Sequence, residues 1–349
     1  MDFSLFYFAD SATAAAKDRY RLLTEGAKFA DTHHFAAVWT PERHFHEFGG
    51  QYPNPAVTSA AIATITQRVA IRAGSVVAPL HHPVRIAEEW SVVDNLSGGR
   101  VSVSFASGWH AVDFVLQPGN YAHRREILVE TLETVRALWR GEEIRFADGT
   151  GTKVPVRIYP PPLQPELPIW ITSAGSAETF ELAGKLGAGM LTHLLGQEFD
   201  DLARKISIYR DAFTAQDGAA LREPRVALML HTFLGHDRDQ VREVVREPFS
   251  AYLRSSIGLF ARAGGTGGLD VERLPEKDLE FLVNRSFNRY FETSGLFGTL
   301  DDGARMVERL RVIGVDDIAC LIDFGVPADQ VLDGLALLDE LSRAHANTA

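Results

Sequence analysis

The 349-residue chain is 46% hydrophobic and carries 46 acidic against 35 basic residues, a formal charge of −11. That balance excludes the electrostatic footprint of a nucleic-acid or anionic-membrane binder, and the apolar content is ample for one large core. No basic N-terminal region precedes an apolar stretch, and no uncharged run approaches the ~18 residues of a membrane span, so a cytoplasmic protein is expected. Cys320 is the one cysteine; it can form neither an internal disulfide nor a thiolate metal site, and in its apolar run it reads as buried strand packing.

Along the chain, short β-branched or aromatic runs alternate with longer segments of helical periodicity. The strands are expected at Asp2 to Phe8, Ala36 to Trp39, Val69 to Val77, Val101 to Ala106, Pro168 to Thr172, Gly189 to His193, Arg225 to Thr232 and Asp317 to Leu321. Helices are expected at Asp18 to Thr32, Pro83 to Asn95, Arg124 to Trp139, Ala177 to Leu186, Phe199 to Phe213, Arg238 to Leu253, Asp301 to Ile313 and Pro327 to Leu341. Eight βα units without a glycine-rich turn after the first strand favour a closed (β/α)8 TIM barrel over an open doubly wound sheet. Residues 1–349 read as one domain with two interruptions. A hairpin excursion is expected at about 141–167, and a long loop or lid at about 256–299, after the seventh strand, holding Gly264 to Gly268.

In such a barrel the chemistry belongs at the C-terminal strand ends. The turn after strand two, Trp39-Thr40-Pro41-Glu42-Arg43-His44-Phe45-His46-Glu47, is dense in carboxylates, imidazoles and a guanidinium. After strand three, Pro83 reads as the first residue of a helix. After strand four, Ala106, Ser107 and Gly108 make a turn of small residues that lets backbone approach a ligand, beside Trp109. After strand five, Ala174, Gly175, Ser176 and Thr179 open a helix for which Ser176 is a good N-cap. Such a start is either an ordinary cap or a phosphate site. His231 reads as a satisfied core histidine, and no metal site is expected.

Across nearly its whole length the chain resembles the bacterial luciferase-like flavin monooxygenases. The strongest match is Phe35 to Trp90, with Val38 to Gly49, Asn54-Pro55 and His82-Pro83-Val84-Arg85 at matching spacing, followed by Leu96 to Arg100. Trp39 to His44 also resembles a subgroup associated with polyketide and non-ribosomal peptide assembly lines. The resemblance implies a barrel that binds reduced FMN, supplied by a separate flavin reductase. Its reaction with O2 through a C4a-hydroperoxide would oxygenate a small-molecule or carrier-bound natural-product intermediate. It further implies a homodimer built on the helices after strands two and three.

Carried over by position, Gly74-Ser75 matches the family's non-prolyl cis peptide beneath the isoalloxazine, and Ala106, Ser107 and Gly108 match the flavin edge. Ala174, Gly175, Ser176 and Thr179 match its phosphate loop, and Trp39 falls among the cofactor-binding positions. Luciferase has two adjacent histidines where this chain has Arg43-His44. Arginine cannot act as a base near neutral pH, so His44 inherits the proton-transfer role, Glu42 sets its environment, and Arg43 anchors an anionic substrate group or the peroxide. The family's phosphate-binding arginine is Ser107 here and its reactive cysteine is Ala106, so the phosphate charge must be met by backbone dipoles or another cation. A barrel using deazaflavin F420 for hydride transfer is the nearest alternative, and a non-catalytic flavin-binding or partner subunit is the second.

Overall fold

A computed structural model describes residues 1–8, 18–47, 49–215, 223–262 and 275–346, with side chains of 256–262 excepted. The first half runs β1 (Asp2–Phe6), α1 (Arg21–Thr32), β2 (Ala37–Thr40), α2 (Pro55–Ala63), β3 (Ala70–Val77), α3 (Pro83–Ser97), β4 (Val101–Ala106) and α4 (Arg124–Trp139). It continues with β5 (Ile144–Ala147), β6 (Lys153–Val156), β7 (Ile169–Thr172), α5 (Ala177–Lys185), β8 (Gly189–His193) and α6 (Phe199–Thr214). The last part holds β9 (Val226–Leu234), α7 (Arg238–Arg262), α8 (Glu276–Arg289), β10 (Leu296–Gly298), α9 (Leu300–Val312), β11 (Asp317–Leu321) and α10 (Ala328–His345).

The parallel order β9-β11-β1-β2-β3-β4-β7-β8 closes on itself through pairing of β8 with β9, which makes the expected eight-stranded barrel. Closure leaves no edge in the ring, and the strands are largely apolar because helices cover their outer faces. β5 and β6 pair antiparallel as a separate ribbon, and β10 adds in parallel to the far end of β9.

Local chemistry sets the boundaries. The Asn54 side chain accepts from the backbone N–H groups of Ala56 and Val57 while Pro55 takes the first turn, so α2 starts there. α3 stops at Gly98, whose φ of 70° a side chain would resist. α9 begins with a capping box between Thr299 and Asp302.

In the segment expected as a long loop or lid at about 256–299, the described residues are largely helical. α7 extends to Arg262, α8 and a π-helical turn at Tyr290–Ser294 follow, and β10 completes it. The aromatic residues of this stretch drive that order: Phe287 and Phe297 pack against Phe249, and Phe291 stacks on both Phe287 and Phe297. Gly264 to Gly268 lie outside the described residues. Among the described residues, no helix is long and apolar enough to cross a membrane.

Inside the barrel the floor is polar and tied together by hydrogen bonds. Trp39 donates its indole N–H to Ser4 Oγ (2.8 Å), Ser4 donates to Asp317 (2.8 Å), and Asp317 accepts from Arg72 (2.7 Å). The Arg72 guanidinium lies 4.9 Å and 5.0 Å from the Trp39 and Trp170 rings. Cys320 is buried in β11, where burial pushes its thiol well above the ordinary range.

Candidate active site

A cavity of ≈ 710 Å³ opens at the C-terminal ends of the barrel strands. The expected residues Glu42, Arg43, Gly74, Ser75, Ala106, Ser107, Gly108, Ala174, Ser176 and Thr179 all line it. Trp39, His44 and Gly175 are not on its wall. Trp39 belongs to the barrel floor just described, and the space beside Gly74 is why it matters to the cavity. A Cβ on Gly74 would come within 2.7 Å of Phe6 and 3.1 Å of Trp39, so only glycine lets that strand end rest on the indole. The Gly74–Ser75 peptide is cis.

On the wall after β2, Glu42 is the hub. Its Oε1 accepts from Nε2 of His44 (2.7 Å) and from Nε2 of His81 (2.6 Å), and Oε2 accepts from the backbone N–H of Val77 (2.7 Å). An ionised carboxylate only accepts, so both imidazoles carry their proton on Nε2. Burial alone would raise the Glu42 carboxyl, but the hydrogen bonds from His44 and His81 hold it below the ordinary value. Burial likewise opposes charge on His81, and the hydrogen bond and charge of Glu42 outweigh it and raise that imidazole. The three side chains bring one donor atom each to within 4.8 Å of one another, a convergence the sequence did not signal. Both N···O separations are hydrogen-bond lengths with a proton between the atoms. His44 therefore reaches the cavity through Glu42 rather than directly.

Next to the hub, Arg43 is 3% exposed and gives one nitrogen, Nη1, to Asp113 Oδ2 (3.1 Å). The other Asp113 oxygen is 3.1 Å from Nδ1 of His110. Burial lowers the Arg43 guanidinium from its ordinary value, and its Nε and Nη2 have no hydrogen-bond partner among the described residues. The Trp109 ring centre lies 5.4 Å from the guanidinium carbon.

On the wall after β7, Ser176 caps α5 by accepting from the Thr179 N–H. Two arginines that the sequence reading passed over complete this side. Arg124 and Arg125 line the cavity from the first turn of α4. Arg124 donates to the carbonyls of Gly108 (3.1 Å) and Tyr121 (2.9 Å), and Arg125 pairs loosely with Glu178 at 3.6 Å. Cationic side chains in a first turn oppose the helix dipole, and that conflict was a readable signal of a role outside the helix. Gly175 stands behind the wall, with a φ of 125° and Gln197 packed against it.

His193 also lines the cavity. Desolvation lowers its pKa to about 4, and its Nδ1 is buried without a partner among the described residues. His231 is a core residue as expected, but not a satisfied one: Nε2 is unpartnered, and desolvation lowers its pKa to about 3. Both histidines are neutral at physiological pH.

Comparison with known proteins agrees with this geometry. The chain is 28% identical over 260 residues to the oxygenase component of flavin-dependent trigonelline monooxygenase from Acinetobacter baylyi, covering 71% of this chain and 69% of that one. It is 25% identical to an alkanal monooxygenase alpha chain of Photorhabdus luminescens, covering 87% and 85% of the two chains. The solved structure of monooxygenase RslO1 from Streptomyces bottropensis superposes with a TM-score of 0.80 at 25% identity, covering 99% of both chains. The family profile described as luciferase-like monooxygenase matches residues 1–310. A closed barrel with its cavity at the strand ends, lined by the residues that carried the resemblance, thus belongs to the luciferase-like, flavin-dependent monooxygenases.

Proposed function

We propose that the protein is a monooxygenase that takes reduced FMN from a separate flavin reductase and uses O2 to oxygenate a small-molecule or carrier-bound natural-product intermediate. The observation that carries this reading is the union, in one ≈ 710 Å³ cavity, of a wall bearing Arg124, Arg125 and the capped start of α5 with a buried, proton-rich wall. The donor set fits FMN. Ser176, Thr179 and the cationic Arg125 suit its phosphate, and the small residues Gly74, Ser75 and Ala106 leave room for a flat ring. Arg125 also answers the charge that Ser107 cannot meet. When bound, reduced FMN supplies the electrons that allow O2 to deliver one oxygen atom.

The chain's own residues would then do three things. Phe6, Phe8, Val77, Leu191 and Met229 exclude water from the cavity. Arg43 supplies a fixed positive charge. Glu42 holds the Nε2 protons of His44 and His81 at the wall, so that proton movement at His44 passes by way of Oε1. The name of the Acinetobacter relative, an oxygenase component, supports a separate reductase. The homodimer reading is supported by exposed apolar side chains on α2 and α3, namely Val57, Val92 and Leu96; sedimentation of Val57→Glu at the same mass as wild type would argue against it.

Anaerobic titration tests the cofactor. FMNH2 should bind, F420 should bind far more weakly, and a flavin reductase with NADH should then drive O2-dependent product formation. Tight F420 binding without FMNH2 binding would overturn the proposal in favour of hydride transfer.

A further inference from the structure

Among the described residues of the wall after β2, Arg43 is the one whose hydrogen bonding is left half complete. Its charge is buried, and such a group is costly unless its donors are matched. Asp113 matches only Nη1, and that carboxylate is itself divided between Arg43 and His110. Nε and Nη2 remain unmatched. Those two nitrogens share one edge of the planar guanidinium, and their N–H bonds run parallel at the spacing of two carboxylate oxygens. A carboxylate meets both with straight hydrogen bonds, whereas a single carbonyl or hydroxyl oxygen would have to take both at bent angles. Glu42 does not supply the missing acceptor: its hydrogen bonds run to His44, His81 and the Val77 N–H. Trp109 bounds the same place with a flat apolar surface.

We propose that Arg43 is a specificity-determining residue that binds the substrate through a carboxylate, making the substrate class small organic acids. This rests on the flavin monooxygenase reading above and narrows it: the substrate enters with its acid group on the wall after β2, while the phosphate of FMN uses the wall after β7.

The test is calorimetric titration of FMN-loaded protein with benzoate and with benzamide, which have similar shape but differ in charge. Benzoate should bind at least tenfold more tightly than benzamide. Arg43→Gln and Arg43→Lys should each abolish that preference and leave FMN affinity within twofold of wild type. The lysine variant keeps a cation for Asp113 to pair with, so it guards against a folding failure of the glutamine variant, yet it lacks the two-pronged edge. Equal binding of benzoate and benzamide to the wild type would overturn the proposal, as would a benzoate preference that survives in Arg43→Lys. A fall in FMN affinity parallel to that of benzoate would instead make Arg43 a flavin ligand and also overturn it. Failure of the wild type to bind FMN would refute the flavin reading alone, since the same two titrations, run on flavin-free protein, still decide the carboxylate preference.

Discussion

The two walls of the cavity are built in opposite ways. After β2, the Glu42 side chain is 0% exposed and Arg43 is 3% exposed, with partners fixed at 2.6–3.1 Å. On the other wall, Arg125 of α4 and Glu178 of α5 are 70% and 83% exposed and meet at 3.6 Å. Charges in the first group act in a low dielectric and are held before any ligand arrives. Those in the second are screened by water and contribute little to the fold. The contrast suits the proposed division, in which one wall handles protons and the other catches and releases the phosphate of FMN.

The largest way to break that contrast is Glu42→Ala. It strands two imidazole donors and the Val77 N–H, and should cost about 3 kcal/mol of stability. The readout is the urea midpoint, with an unchanged slope; a shift below about 1 kcal/mol would mean the hub is not structural. Arg125→Ala should do the reverse, weakening FMN binding about tenfold while unfolding stability stays within about 0.5 kcal/mol. Ser176→Ala lies between the two, since it removes a helix cap and a phosphate donor together. About 1 kcal/mol of stability should be lost, alongside a smaller loss of FMN affinity than Arg125→Ala produces.

The smallest effect is in pH. The Glu42 value is lowered in the fold, so its contribution is present above its ordinary 4.5 and is lost as pH falls through the folded value. His81 is raised, so its contribution is present below its ordinary 6.5 and is lost as pH rises through the folded value. The two overlap fully between those limits. His81→Asn should flatten the alkaline decline, a difference of about 2 °C or less in melting temperature. An alkaline limb identical to that of wild type would remove His81 from the hub.

The barrel was legible because most of its strands are short, largely apolar and largely buried runs that alternate with helices announcing themselves by period. α2 was not, because Pro55 to Ala63 is small and apolar all round and buries Ala56, Thr58, Ser59 and Ile62 without a polar face to mark the period. α8 was hidden for the opposite reason, since its first turns are polar and its packing waits on Val283 and Phe287. In the site, contiguous motifs such as Glu42-Arg43-His44 could be read, whereas Asp113 stands 70 residues from the arginine it pairs with. His81 likewise joins Glu42 across 39 residues. Only the closed order of the strands brings them together, and linear spacing carries no trace of it.

The barrel floor has a spectroscopic consequence. Of the five tryptophans, Trp39, Trp90, Trp139 and Trp170 are buried, while Trp109 is 42% exposed at the cavity. Trp39 and Trp170 lie edge to face with ring centres 5.3 Å apart, close enough for their excited states to mix. A circular dichroism couplet from that pair should therefore monitor ring closure, while quenching at Trp109 monitors ligand entry. One sample thus carries two optical reporters, one for the frame and one for the cavity, and a variant that empties the cavity without opening the ring would alter only the second.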